Sequence, residues 1–532
     1  MKLDELPVPV GAPEIEPETE AGRARRTGVR RPALAVAVVA GIMLCLLMGA
    51  LDNFVVLTAL HAILTNLSAP PTGSTFIVSA YLITSTVAVP IFAKLSDLFD
   101  RKRIFIAGLG LFIGGSILAG LSQTFSELVI FRAVQGFGSG DFFPVGLSIV
   151  AVIFPPETRA RVTGLLSGVF GIATVAGPFV GAFIVEHTTW RWVFYVNIPI
   201  GLIGLTLLLV ALGPIRPERK GRFDIPGAAL LAGWVAALMY TLVEVSEGVW
   251  TWSDPRVVPL LLTAGVLLVT FVWWEVRRAV DPLVPLRLFS RRIVASSAGT
   301  TFLVGLVLFP LATFLTFLVT YVTLGNTGDV ADTVRDVLYF LVIPLVFGAA
   351  IGGNLLTRVP YRPLVLVGIG ISIVGLLLLT QVRPSTPVWV FAYGFLPVGG
   401  IVAPLIPIGF GVGMTFPVFL LAVQNQVPEA EVGAASGLVQ FFQSLGGAIG
   451  LTLLASFQAQ RLAALDPSEV AAGLCPPYPG FPTTSACAAA VSESYVQLFE
   501  VLVVLAVLAF VLALFLSGRL PKGKKPLGAG PP

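Results

Sequence analysis

The sequence predicts an all-α integral membrane fold of about fourteen transmembrane helices, and three observations carry that expectation. Of 532 residues, 56% are hydrophobic and only 12% charged, about half the charge of a soluble domain. Mean hydropathy is +0.92, and apolar runs near 20 residues, the length a bilayer core requires of a helix, recur along the whole chain. Between those runs, Lys and Arg collect in alternate loops. Soluble helices this long would carry polar faces, and these do not.

Taken in order, the predicted spans fall near 33–62, 74–95, 103–122, 127–154, 161–185, 192–212, 226–246, 257–279, 295–323, 332–356, 362–381, 404–426, 432–458 and 495–517. The tail 1–32 is acidic first (Glu14, Glu16, Glu18, Glu20) and then basic (Arg23, Arg25, Arg26, Arg30, Arg31). The first apolar run is too long for a signal h-region, so it is expected to stay as an anchor. One set of loops carries Lys94, Arg101–Arg103, Arg159, Arg161, Arg216–Arg222, Arg277–Arg292, Arg358, Arg362 and the basic tail. The other holds only Arg191, Arg256, Arg383 and Arg461. The positive-inside rule then puts both termini in the cytoplasm of a bacterial inner membrane and requires an even helix count. Topology thereby accounts for a pI near 9.0 without a nucleic-acid partner.

A weak internal repeat sets the domain plan. Ala93-Lys94-Leu95-Ser96-Asp97, running into Arg101-Lys102, is echoed by Gly353-Asn354-Leu355-Leu356-Thr357-Arg358 with Arg362. Pro156-Glu157 is echoed by Pro428-Glu429. The expected plan has cytoplasmic tails 1–32 and 519–532 and two six-helix halves, 33–212 and 295–518. Two linker helices with their loops, 213–294, lie between them. Parallel repeats of this kind imply a midplane site between halves that rock.

Several residues carry chemistry. A carboxylate in lipid costs roughly 2.5–3.5 kcal/mol, so Asp52 must face protein or water. It lies about 19 residues into the first span, which at ~1.5 Å per residue puts it at the depth of Arg132 on the fourth. The two charges are expected to pair. Pairing favours the ionised carboxylate and separation favours its protonation, so the pair suits proton coupling as well as a fixed helix–helix tie. Asp141, nine residues beyond Arg132, reads either as a second protonatable or substrate-contacting acid, or as a neutral acid hydrogen-bonded in the bundle. Gly177-Pro178 removes a backbone hydrogen bond from the fifth span and permits close packing. Arg101 and Lys102 suit the C-terminal end of a neighbouring helix, and Asp97 an N-terminal end. Cys475 and Cys487 share one external loop, where a disulfide and two free thiols both fit. His61 and His187 receive no role.

The block Trp190-Arg191-Trp192-Val193-Phe194-Tyr195-Val196-Asn197-Ile198-Pro199-Ile200-Gly201 resembles the W-R-W-x-F-x-x-N-x-P-x-G run of the fourteen-helix drug:proton antiporter branch of the major facilitator superfamily. Leu51-Asp52 with Val55-Val56, Arg132 to Gly138, and Gly171 through Gly177-Pro178 to Gly181 resemble that branch's motifs in helices 1, 4 and 5. The loop motif departs from the family pattern at Ala93, Leu98 and Asp100, which leaves tight packing at position 93 open. The resemblance implies a proton-coupling pair at Asp52 and Arg132, and an antiporter hinge at Gly177-Pro178. It also implies a cytoplasmic latch at Asp97, Arg101 and Lys102.

For the substrate, spans nine to fourteen are read as free of deep carboxylates, with Gln440 and Gln443 on one helix face. Together with Gln135 they are candidates for the substrate cavity. A cavity poor in acids suits lipophilic or amphiphilic small molecules. The aromatic stretch 382–403 (Trp389, Phe391, Tyr393, Phe395) keeps lipid or glycolipid export as the alternative. The expected protein works as a monomer, is no enzyme, and uses no metal or organic cofactor, only a proton gradient. No Walker-type loop points to ATP as the driver, and no His/Cys/Glu set has metal spacing.

Overall fold

In the computed structural model, residues 32–516 are described except 69–72, 217–220, 247–248, 285, 324–329, 357, 383–400, 426, 428–431, 466 and 469–484. Every regular element among the described residues is helical. In order they are α1 (Pro32–Asn66), α2 (Gly73–Leu98), α3 (Arg101–Leu121), α4 (Phe125–Ser139), α5 (Phe142–Ile153), α6 (Pro156–His187), α7 (Trp192–Tyr195) and α8 (Asn197–Ala211). There follow α9 (Ile225–Ser246), α10 (Val257–Arg277), a 3₁₀ turn (Leu286–Ser290), α11 (Arg292–Thr323), α12 (Val330–Leu355), α13 (Tyr361–Leu379), α14 (Leu405–Gln424), α15 (Val432–Leu465) and α16 (Ser485–Ala513). Twelve apolar stretches among the described residues are long enough to cross a membrane. α6 and α12 coincide with the fifth and tenth predicted spans. The tails, Cys475, most of 382–403, and the side chains of His61, Pro178 and Cys487 lie outside the described residues.

Local chemistry explains the boundaries. α4 opens on a capping box: Thr124 Oγ1 accepts from Glu127 N at 3.2 Å and Glu127 Oε2 accepts from Thr124 N at 3.3 Å. Asp100 caps α3, accepting from Lys102 N at 3.0 Å. Two predicted spans are not single helices. The fourth breaks between α4 and α5 at Gly140-Asp141, and the sixth between α7 and α8 at Val196. Each break lies just ahead of a proline, Pro144 or Pro199, whose ring displaces the hydrogen bond to the carbonyl four residues back. In the fourth, Gly136, Gly138 and Gly140 weaken the helix further.

α1 packs on α6 and α8, and α4 packs on α2 and α3; α14 packs on α12 and α13, and α11 on α15 and α16. Between these two bundles, α2 and α5 meet α15, and α6 meets α12. The inserted pair α9–α10 touches both bundles through α9, which lies on α2 and α15. Trp234 meets the Phe441 ring edge-on at 6.2 Å, and Tyr240 lies 6.4 Å from Phe76. The helix ends that carry the basic loops, such as Leu98/Arg101, Ile153/Pro156 and Leu355/Tyr361, alternate to one side and form a basic face.

One expectation is corrected. α16 starts ten residues earlier than the predicted fourteenth span, so Glu500 stands halfway along the apolar stretch Ala489–Ala513. It is exposed, on the same helical stripe as the exposed Val504, Val507, Leu508 and Val511. Spans nine to fourteen are therefore not free of deep carboxylates. This one faces outward, away from the bundle core.

Candidate functional site

Four helices of the first bundle converge on Asp52, which is fully buried on α1. Arg132 of α4 reaches it with Nη1 at 2.5 Å from Oδ2. Gln135, one turn further along α4, donates Nε2 to Asp52 Oδ1 at 2.8 Å, and Asn197 at the start of α8 donates Nδ2 to the same oxygen at 2.8 Å. Both amides also reach Ser116 Oγ of α3, at 2.6 and 3.2 Å. Arg132 Nη1 further donates to Gln135 Oε1 at 2.7 Å, and its Nε to the Ile77 carbonyl at 3.4 Å. Its guanidinium lies 4.3 Å from the centre of the Tyr81 ring, whose hydroxyl donates to Gly49 O at 3.1 Å. Gly181 lets α6 close on the same region: a Cβ there would stand 2.8 Å from the Val55 carbonyl on α1.

The expected Asp52–Arg132 pair is thus present, set in a network of five side chains. Gln135, a candidate for the substrate cavity, belongs to this network. Gln440 donates to Ser444 Oγ at 3.2 Å on α15, and Gln443 is buried on the same helix, so the three glutamines are not gathered at one site. Ser116 and Asn197 were not assigned from the sequence. Asn197 had a signal, being the Asn of the tryptophan-rich block, whereas a lone Ser in the Gly-rich third span had none. Chain order pairs α1, α3, α4 and α8 with α11, α13, α14 and α16. That second set meets in an apolar cluster including Leu311, Phe314, Leu376, Ile408, Tyr495 and Phe499. The Asp52 network lies in the first bundle.

Asp141 stands apart. It lies against Gly108, eight residues before Ser116 on α3 and so about 12 Å away along that helix. It is fully buried, and neither carboxyl oxygen has a hydrogen-bond partner. The reading as an acid hydrogen-bonded in the bundle is therefore not what the structure has. Gly177 is buried within α6, which runs unbroken through residues 177–178.

At the basic face, Asp97 caps the N-terminus of α15 from the other bundle. It accepts from Gly433 N at 3.0 Å and Ala434 N at 2.7 Å, and Arg101 Nη2 stands 3.5 Å from it. Lys102 Nζ donates to Leu209 O at 3.0 Å and Leu212 O at 2.5 Å, closing the C-terminal end of α8. Arg101 is instead half of the Asp97 pair. Packing at position 93 is tight because the glycine sits on the other helix: a Cβ on Gly437 would collide with that of Ala93. Gly437→Ala should therefore weaken export several-fold, and adding Ala93→Gly should restore it, as read by flux and melting of the single and double variants. A double variant no better than the single would refute this packing account. The partner crossing of α6 on α12 uses the same device, with a Cβ on Gly164 standing 2.7 Å from Ala349 O.

A family model described as Major Facilitator Superfamily matches residues 42–451. The chain belongs to that superfamily. This superfamily member is 32% identical over 422 residues to Multidrug resistance protein 3 of Bacillus subtilis, covering 79% of each chain. It is 32% identical over 439 residues to the Tetracenomycin C resistance and export protein of Streptomyces glaucescens, covering 82% of this chain and 77% of that one. The fold matches the human organic anion transporter MFSD10 (TETRAN) with a TM-score of 0.56 at 15% identity, over 90% of this chain and all of the other. The superfamily member is a multi-pass membrane transporter, not an enzyme, and the two bacterial relatives above are named for multidrug and tetracenomycin C resistance.

Proposed function

We propose that this transporter exports lipophilic or amphiphilic small molecules in exchange for protons, as a fourteen-helix member of the drug:proton branch working by alternating access. The observation that carries the reading is the Asp52 network. One buried carboxylate there is held by three donors from two other helices. Protonating Asp52 removes the charge that Arg132 faces and turns one of the two oxygens shared by Arg132, Gln135 and Asn197 from acceptor into donor, so the network has two states that differ by a proton. Substrate binding that favours one state then drives proton uptake or release in the other.

The contacts at the basic face support a state closed there: Asp97 on α15, with Ala93 against Gly437 and Gly164 against α12. With the basic loops facing the cytoplasm of a bacterial inner membrane, that state is open outward, ready to release substrate and take up a proton. Lys102 and Arg101 hold the loop that presents Asp97. Gly177-Pro178 is assigned the role of sealing the outer half.

The test is flux from proteoliposomes under an imposed pH gradient, with ethidium, tetracenomycin C and a fluorescent phospholipid as probes. Ethidium or tetracenomycin C export that follows the gradient, together with proton release on adding the probe to purified protein, is the expected result. Export indifferent to the gradient would refute antiport. Movement of the phospholipid alone would favour the lipid alternative, which rests on the stretch 382–403.

A further inference from the structure

The apolar stretch Phe125–Ile153 is one crossing made of two helices, and the acid at its break has nothing to bond. Approaching the break, the ladder tightens as Asp141 N donates to Gly138 O at 3.3 Å; it resumes with Val145 N donating to Asp141 O at 3.1 Å. Asp141 occupies the N-cap position of α5, yet its side chain makes no capping hydrogen bond. Instead the carboxyl points into a slot left by Gly108 of α3, where any Cβ would collide with it. α2 closes the break from another side, with Ala88 and the Ser85 carbonyl against Gly140. Phe142, beside the acid, packs its ring on Phe105 and Phe112 at 6.0 and 5.3 Å. On α1 the buried Cys45 thiol interacts electrostatically with Asp141. Gly108 of α3 and Phe142 of α5 stand beside it, and Ala88 and Ser85 of α2 close on the neighbouring Gly140; none of these is charged.

The two sides of this break do different work. α4 carries Arg132 and Gln135, which bind Asp52. α5 packs on α15, and Pro144 stands 3.8 Å from where a Cβ of Gly437 would be, at the crossing of the bundles. An unpartnered carboxyl therefore sits on the joint between the proton-linked network and the moving interface.

We propose that Asp141 is a second proton-carrying group, and that its deprotonation re-angles α5 on α4 by turning the carboxylate onto the open N-terminus of α5. This rests on the antiport reading and deepens it. A carboxylic acid in the Gly108 slot keeps its proton because no donor there stabilises the anion. When the O–H proton leaves to water, the anion needs donors. The first-turn N–H groups of α5, at Phe142 and Phe143, have no partner within their own helix, and the helix dipole favours a negative charge there. Reprotonation reverses both steps. The position of α5, and so of its contact with α15, becomes a function of that proton.

The test uses the full-length protein in lipid, comparing wild type, Asp141→Asn, Asp52→Asn and Gly108→Ala. The infrared C=O band of protonated carboxyls is followed through a pH titration, and the protons exchanged per ethidium come from the gradient at which net flux is zero. The expected result is a band component that disappears as pH rises, is missing from Asp141→Asn, persists in Asp52→Asn, and is lost at lower pH in Gly108→Ala, whose methyl would occupy the slot that holds the acid. Asp141→Asn should still export ethidium with one proton fewer per molecule. A component present at every pH, with the proton number unchanged in Asp141→Asn, would make Asp141 a buried spectator and overturn the proposal. If Asp141→Asn does not fold, the Gly108→Ala titration decides alone. An Asp52→Asn variant that exports normally would sink the Asp52 reading and leave the infrared result standing.

Discussion

Asp52→Asn is expected to bring proton-driven export down to background while the protein still expresses and folds. The geometry explains why charge and fold separate here. The substituted amide keeps an oxygen for Arg132 and nearly the same volume, so the four helices still meet. It cannot gain or lose a proton, so the network keeps one state and the gradient has nothing to act on. Asp52→Ala goes further, because it takes from the buried Arg132 its acceptor oxygen as well as its counter-charge. Removing one partner of such a pair costs about 3–5 kcal/mol, and that variant should lose stability as well as transport. Pairing Asp52→Asn with Arg132→Gln removes both charges and should melt close to wild type yet still fail to couple. The measurement is ethidium flux under a pH gradient, with thermal melting as the control for folding. Gradient-dependent export by the Asp52→Asn protein would remove this carboxyl from the mechanism.

The membrane fold was legible because it is written in long-range composition: apolar length and basic-loop alternation survive any uncertainty about individual residues. The Asp52–Arg132 pair was legible for a related reason, since two charges at equal depth in lipid have few ways to be satisfied. The helix breaks were not. Pro90, Pro310, Pro344 and Pro417 lie inside unbroken helices, so a proline alone does not mark a break. At Pro144 three nearby glycines and the neighbouring helices decide it. Ser116 escaped notice because a hydroxyl in an apolar helix looks the same whether it bonds its own turn or a remote amide. The start of α16 was misplaced because the polar residues Ser492, Glu493 and Ser494 read as a loop, whereas Ser492 and Ser494 are buried and Gln458 Nε2 donates to Ser494 Oγ at 3.1 Å.

Packing at the basic face shows how tertiary context restores what a motif lacks. Ala93 stands where the family pattern has glycine, and the close approach survives because Gly433 and Gly437 provide the space from α15. Local sequence could not show this, since the compensating residues are more than 300 positions away.

Asp97→Asn is expected to shift the transporter away from the state closed at the basic face and to reduce export at least tenfold. Both Asp97 oxygens accept backbone N–H groups at the start of α15, where the helix dipole also favours a negative charge. An amide keeps one acceptor, turns its NH₂ towards the other N–H, and removes the charge that holds Arg101. Hydrogen bonds to charged groups contribute about 1.5–3 kcal/mol, and 1.4 kcal/mol is a factor of ten in a two-state equilibrium, so losing one such bond moves the population by roughly one to two decades. The pseudo-equivalent loop offers no substitute, because Thr357 occupies the position of Asp97 in the repeat. Spin labels on Phe99→Cys and Arg362→Cys, at exposed sites on the basic ends of the two bundles, should report the change as a longer distance in Asp97→Asn than in the parent. An unchanged distance distribution, with export intact, would reduce Asp97 to a local cap without a part in the cycle.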